Sequence, residues 1–435
     1  MEMMTPSQSK PKRGMQNSRR ADTMHAKSSY MVDQHSILEH YGWRILCIIL
    51  SAYLFSLGYM MPKIVDILSS PIYILSVLAV YVFALCFLSI GVLGLKRLYN
   101  IFYYLTPIVI TLFFAIYCIA FWNLNSYGTD SILFANEAIR LLLLGYNPYT
   151  IQMNISGIDY RWTTQLLNGE LERTYSYPAL SFLIYMPAKL AGIHNLNIVT
   201  AFAVFTAFII SYILTPKLLY PLPLLVFTID PSLVGLSLNG VLDGLWLPFV
   251  IASACTFYRC KCLHDRRMLV SGLLLGLAAA IKQTPWPIAF YLLVLLAAQK
   301  SFRELGWFLA GLLLGFLPPN MFFILQAPLA WLRGVLVPLL HPMVPEGYGL
   351  SILVATGHVI LPRTFFTLLQ ILVALLIMFA IILKPKKTRP LPWLSPPLIF
   401  FFGWRSLHNY FVFFIPVAYI VLLLEVQGDK YNAKY

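Results

Sequence analysis

Long apolar runs broken by short polar ones set the pattern of this chain. Runs at 45–61, 71–95 and 101–122 are separated by Pro62 with Lys63 and by Lys96 with Arg97. Each is near the length that crosses a bilayer as a helix, roughly 20 residues. Trp122 to Pro178 then forms the one long polar interval between the first run and the last. Four apolar segments follow, at 179–193, 198–214, 218–230 and 233–258, before the basic stretch Cys260 to Arg267. Beyond it lie 268–282, 286–299 and 305–325, a second polar stretch at 326–349, and runs at 364–383, 393–404 and 410–425. Backbone groups in hydrocarbon must satisfy one another, and the period-two alternation of a barrel is absent, so the runs read as helices. The predicted fold is an all-α polytopic membrane protein with about 12 transmembrane helices, within a range of roughly 10–14.

Composition agrees with that pattern. The chain is 59% hydrophobic and 11% charged, where a soluble domain carries about a quarter charged residues. The first apolar run begins near Ile45, too late for a cleavable signal peptide and without a small-residue cleavage site. The net charge of +14 would suggest nucleic acid on a soluble protein. Here its placement indicates orientation instead. Lys and Arg cluster before residue 45, at Lys96 and Arg97, from Arg259 to Arg267, at Lys300 and Arg303, from Lys384 to Arg389, and at the C-terminus. One topology puts all of these in the cytoplasm, with both termini inside. The expected organisation is a cytoplasmic tail (1–42), one integral membrane domain (43–425) and a second cytoplasmic tail (426–435). The first extracytoplasmic loop is then 123–178, the second 326–349. Parity requires one of the four segments after the first loop not to cross, and the short 179–193 is assigned as a juxtamembrane element. No internal repeat is visible.

Six cysteines occur, and none falls in the outer loops, so no disulfide framework is implied. Cys260, Cys262 and His264 lack the second ligand pair of a metal site and read as part of a small cytosolic loop.

The first loop gathers acids: Asp130, Glu137, Asp159, Glu170 and Glu172. Ser131 to Leu144 has amphipathic spacing, with Ile132, Leu133, Ala135, Ile139, Leu142 and Leu143 able to face lipid and Asp130 near the N-cap. Such a helix is expected to lie in the interface plane. The turn residues Gly145, Asn147 and Pro148 end it.

An ionisable residue at membrane depth costs roughly 2.5–3.5 kcal/mol on the insertion scale, so it needs a partner or a function. Asp243 lies about 16 residues from the inner end of its segment, or ~24 Å of helix, which puts it near the outer side. Lys282 sits at an outer hairpin, and Arg405 and His408 flank the last outer turn. With Asp130, Glu137, Arg140, His341 and Glu346, these charges fall on one side. A shared outer cavity is the economical explanation. Glu137 and Arg140 also have the i, i+3 spacing of a surface ion pair. Lys282 has the reach to snorkel to headgroups; a lipid phosphate would want the same point charge, and Arg405 offers a bidentate fork.

Five motifs occur in order along the chain: Gly128-Thr129-Asp130, Tyr177-Pro178-Ala179-Leu180 closing the first loop, Asn239-Gly-Val-Leu-Asp243, the stretch from Gly272 through Gly276 to Lys282-Gln-Thr-Pro285, and Arg405-Ser-Leu-His408-Asn-Tyr410. In these the chain resembles the GT-C superfamily of integral membrane glycosyltransferases, and within it the mannosyltransferase-like family 87. The resemblance implies inverting transfer of a hexose or pentose from a polyprenyl-phosphate carrier to a lipid or glycan acceptor, on the extracytoplasmic face of the cell membrane. Asp130 would be the general base. Glu137, Arg140, Tyr177, Asp243, Lys282, His341, Arg405 and His408 would bind substrate or carrier. Many members carry a second acid directly before the Pro of the closing motif. Tyr177 holds that place, so no cofactor is certain: a divalent metal stays open, without a second acid in the closing motif to support it. Two other readings use the same charges: a transporter or flippase for a lipid-linked or anionic substrate, and a non-catalytic subunit of a membrane glycosylation complex.

Overall fold

The computed structural model describes residues 41–59, 71–125, 127–154, 163–259 and 266–432. Most of the expected N-terminal tail, Asp159, Arg161 and the group Cys260, Cys262 and His264 lie outside the described residues. Most of what is described is helical; the only strands among the described residues are two short ones, β1 (Glu346–Gly347) and β2 (Arg405–Ser406), paired in parallel.

Three long helices come first: α1 (Tyr41–Tyr59), α2 (Pro71–Leu93) and α3 (Lys96–Phe121). The first polar interval holds α4 (Asp130–Leu143), and its closing motif leads into short α5 (Leu180–Leu183) and α6 (Met186–Leu190). Then follow α7 (Asn197–Leu214), α8 (Pro221–Thr228), α9 (Pro231–Leu238), α10 (Asp243–Tyr258), α11 (Arg267–Ile281), α12 (Trp286–Ala298) and α13 (Phe302–Gln326). The second polar interval holds α14 (Pro328–Val335), α15 (Val337–Leu340) and α16 (Ile352–Ala355). The chain ends with α17 (Arg363–Leu383), α18 (Leu391–Phe400), α19 (Asn409–Val412) and α20 (Phe414–Asn432). Most of the 426–435 stretch expected as a tail is therefore a continuation of the last helix.

Among the described residues seven helices are long and apolar enough to cross a bilayer, or eight if the bent pair of α8 and α9 is one span. The described part is thus mostly helical, with several helices of membrane-spanning length and apolarity, consistent with the expected all-α polytopic fold. Several apolar runs fold into shorter pieces than their sequence predicts. The run 233–258 is not one helix: α9 stops at Leu238, Gly240 takes φ +77°, and α10 starts afresh at Asp243. A positive φ is open to glycine at little cost, and here it breaks the rod just before the acid. The α8–α9 joint bends by 63° at Ile229 and Asp230.

A second correction concerns α4. Its apolar stripe does not face lipid. Ile132, Leu133, Ala135 and Ile139 are buried in the protein core, and only the end of the helix near Leu143 is exposed. Packing against the bundle hides more apolar surface than lying in the interface would. Asp130 is the first helical residue, and the N-cap position belongs to Thr129.

The tightest packing joins α10, α11 and α13. Gly272 and Gly276 on α11 face Gly311 and Gly315 on α13, so that a Cβ at Gly272 would come within 2.1 Å of the Phe308 carbonyl oxygen. These are two small-xxx-small faces in contact, the arrangement that lets membrane helices approach backbone to backbone. Ser253 of α10 donates to the Ser271 carbonyl of α11 at 2.8 Å.

The helices alternate in direction, so the polar ends sort to opposite poles. At one pole, Arg44 donates to the Gly91 and Val92 carbonyls, Lys217 stands over Tyr103 and Tyr104, Arg267 donates to the Arg259 carbonyl, and Arg389 covers Tyr258. The other pole carries the two polar intervals, stitched together by backbone bonds from Leu167 to Pro342 and from Val344 to Gln165. β1 and β2 add the 405–406 segment to this cap.

A candidate catalytic site beneath the polar cap

Two helix starts and one helix break build the centre of the site. α11 ends because Lys282 is fully extended (φ −151°, ψ 159°), and Pro285 and Pro287 make α12 begin anew at Trp286. Lys282 is thereby thrust sideways into the bundle beside Asp243, the first residue of α10. Its ammonium meets Asp243 Oδ2 at 2.5 Å, and both side chains are almost wholly buried. Asn409, opening α19, donates to the same oxygen. The other oxygen accepts from Trp246 Nε1 at 2.9 Å and from Thr284 Oγ1 at 3.1 Å. Four donors thus satisfy Asp243. A buried pair survives only with such compensation, since the desolvation cost rivals the attraction.

Lys282 lies between two aromatic rings, its Nζ 5.8 Å from the centroid of Tyr177 and 5.2 Å from that of Tyr410. Tyr177 is held in place because its carbonyl accepts from the Tyr149 hydroxyl at 2.7 Å, and because Gln283 ties the helix break to the carbonyls of Ser176 and Val335. Asn320 inside α13 accepts from the amide of Ala179, which anchors the closing motif from below.

Asp130 lies close enough to the same tyrosine to act on it electrostatically. Its Oδ2 accepts from the amide of Thr164 at 3.1 Å and from its hydroxyl at 2.8 Å. Burial pushes the Asp130 carboxyl above the usual carboxylate range; the Thr164 bonds and the positive Arg405 oppose that rise only in part. Burial likewise raises the Tyr177 phenol, and the negative Asp130 adds to the effect while Lys282 opposes it. One carboxylate and one ammonium therefore act on a single tyrosine.

Arg405 comes from β2. It donates to Glu346 on β1 at 2.6 Å and to the Met343 sulfur at 3.2 Å. Next along the chain, His408 Nε2 lies 2.8 Å from Asp230 Oδ2 and 2.6 Å from the Ser232 hydroxyl, with Tyr348 packed edge-on at 4.6 Å. Both contacts fall on one ring nitrogen, so this is not the relay of a nucleophilic serine, in which the two nitrogens serve different partners.

Of the residues singled out in the sequence, Asp130, Tyr177, Asp243, Lys282 and Arg405 converge. His408 stands at their edge. Glu137 and Arg140 close on each other through two contacts of 2.8 Å, with Arg140 largely exposed. His341 is bonded to the buried Glu172 at 2.6 Å, and Arg363 holds the His341 carbonyl; that group clasps the two polar intervals together. Thr164, Asp230, Thr284, Asn409 and Tyr410 also belong to the site; Thr284, Asn409 and Tyr410 lie inside the motifs without being singled out, Asp230 is an acid at the end of an apolar run, and Thr164 carries no signal. Among the described residues no group of three or more His, Cys, Asp or Glu is arranged to hold a metal ion. No protein-family model matches the chain, and neither a curated protein nor a solved structure matches it.

Proposed function

We propose that the protein is a GT-C-like glycosyltransferase that moves a sugar from a polyprenyl-phosphate carrier to an acceptor hydroxyl at the polar-cap end. The observation that carries this reading is the buried Lys282, held by Asp243 beside Tyr177, with Asp130 near enough to act on the same tyrosine from a distant part of the chain. In the proposed reaction the acceptor oxygen attacks the anomeric carbon as the bond from that carbon to the phosphate oxygen breaks. Asp130 takes the acceptor's proton, and the polyprenyl phosphate leaves as an anion. An acid whose affinity for protons is raised by burial suits a general base. Lys282 uses one of its three N–H donors on Asp243 and has others for the leaving phosphate. Arg405 would add its fork by exchanging Glu346 for that phosphate, where preorganised positive charge stabilises the developing anion.

Asp243 takes a different part from carrier binding in this scheme. Its oxygens are already engaged, and it serves to aim and charge-balance Lys282. The groups that act on Asp130 are Thr164, Ser131, Tyr177 and Arg405, none of them a second carboxylate for a divalent ion, and the steps above use none.

The basic pole would face the cytoplasm and the site the exterior, following the positive-inside rule. Twelve crossings are reached if α10, α11, α12, α18 and the bent pair also span. α10, α11 and α12 measure only about 20–24 Å and α18 is shorter still, so a polar cap reaching into the bilayer would have to complete them.

Broken helices at Asp230 and Lys282 also favour a second reading, an ion- or lipid-linked-substrate transporter, since transporters bind substrate at such breaks. Transfer of labelled sugar from a polyprenyl-phosphate donor in proteoliposomes separates the two. Glycosyl transfer requires product formation that Asp130→Asn abolishes at unchanged protein level. Movement of substrate without a new glycosidic bond would instead establish transport.

A further inference from the structure

A cleft of about 350 Å³ opens in the bundle away from the charged site, between α1, α2, α3, α7, α8 and α9. Each long helix lends it the half nearer the polar cap: Leu54 and Leu57 from the end of α1, Ala79 and Phe83 from the start of α2, Phe113 and Tyr117 from the end of α3. α7 contributes Ala201 and Phe208 from its first three turns. Protein interiors rarely leave such a volume unfilled.

The walls are almost entirely hydrocarbon, although Ser76 and Tyr117 also lie on them. The hydroxyls of Thr228 and Ser237, which line the cleft, turn back on their own helices and donate to the carbonyls of Leu224 and Leu233. They offer water little, and an apolar cavity of ~150 Å³ already stays dry and admits benzene. A flexible hydrocarbon chain is the ligand this shape and chemistry accept.

α9 ties the cleft to the site. Leu233, Val234, Ser237 and Leu238 line the cleft. At its first end Asp230 and Ser232 hold His408, and just past its last residue Asn239 packs against Gly128 and accepts from the Thr129 hydroxyl. Asp130 follows directly. A chain lying in the cleft therefore belongs to a molecule whose headgroup emerges on the Asp130 side, whereas Lys282 stands on the break between α11 and α12.

We propose that this cleft holds an acyl chain of a membrane lipid that is the sugar acceptor, with a headgroup hydroxyl delivered to Asp130. The inference rests on the glycosyl-transfer reading and adds the acceptor's class to it. The test is photolabelling of the full chain in nanodiscs. One probe is phosphatidylglycerol with a diazirine in its acyl chain; the other is undecaprenyl phosphate with a diazirine in its isoprenoid chain. The acyl probe should label residues of α3 and α9 inside the cleft. Ala79→Phe, which fills the open volume from a half-exposed position, and Ala201→Phe, from the opposite wall, should each cut that labelling by about tenfold, as for ~1.4 kcal/mol of lost binding. Labelling at the outward-facing Ile74 and Leu78 should stay as it was and reports an intact fold. Cleft labelling that both variants leave unchanged overturns the proposal, and so does cleft labelling by the undecaprenyl probe alone, which would assign the chain to the donor. Labelling needs no turnover. Sugar transfer insensitive to Asp130→Asn would therefore sink the catalytic reading separately.

Discussion

The two sides of this bundle are packed by opposite rules. Around α10, α11 and α13 four glycines bring backbone against backbone, and the ion pair of Asp243 and Lys282 sits at the end of that contact. Around α1, α2, α3 and α7 the helices are lined with Leu, Phe and Val, yet a cleft of about 350 Å³ remains. The difference teaches where rigidity is required. A buried charge pair tolerates no slack, since each partner's desolvation is offset only by good geometry. A dry, loosely filled volume costs packing energy but leaves room for hydrocarbon.

The largest effect should come from forcing the tight side apart. Gly276→Leu puts a Cβ 2.3 Å from the Leu312 carbonyl oxygen, a backbone atom that cannot swing away. Overpacking of this kind costs about 3 kcal/mol or more, and thermal unfolding in detergent should show a large fall in Tm. The matching insertion on the loose side, Ala79→Phe, should leave Tm nearly unchanged. Equal losses for the two would erase the distinction between them.

Asp243→Ala should come next, because it strands a buried ammonium. Removing one partner of a buried pair costs about 3–5 kcal/mol. Asp243→Ala combined with Lys282→Met should recover much of that loss, with activity still absent. A double variant no better than the single one would mean that the pair contributes little.

Asp130→Asn should leave Tm close to wild type and lower sugar transfer by about 10²–10⁴-fold, the usual worth of a general base. The smallest effect is expected at Glu346, whose side chain is mostly exposed. Glu346→Gln should change stability by less than about 1 kcal/mol while tightening the binding of undecaprenyl phosphate, since Arg405 loses its competing partner. Weaker binding would give Glu346 a direct role with the ligand.

Much of this architecture was legible in the order of apolar and polar residues. The seven long helices follow their runs, and Asp243, Lys282 and Arg405 stood out as ions too costly to be idle. What failed was whatever depends on which surface is buried. The stripe on α4 has the same spacing whether it meets lipid or protein, so spacing alone lets Ile132 and Ile139 face lipid although they form core. The run 233–258 is apolar on both sides of Gly240, and hydropathy does not register a φ of +77°. Thr164 carries no charge at neutral pH and lies in none of the motifs, so only proximity reveals it, whereas Asn409 and Tyr410 lie in the 405–410 motif without a charge to single them out. Glu137 with Arg140, and His341 with Glu172, are charged for local reasons that sequence alone does not separate from catalytic ones.

The pH profile of kcat/KM for sugar transfer, compared between wild type and Arg405→Gln, tests most directly whether these groups share a cavity. That parameter reports ionisations of the free protein. A base must be deprotonated, so with its proton affinity raised by burial, activity should fall on acidification at a pH above the ordinary carboxylate value of about 4. The positive Arg405 holds the Asp130 carboxyl down against that rise, so its removal should move the acid limb to higher pH. An acid limb that lies at the ordinary value, or that does not move in Arg405→Gln, would contradict a common site for Asp130 and the cations.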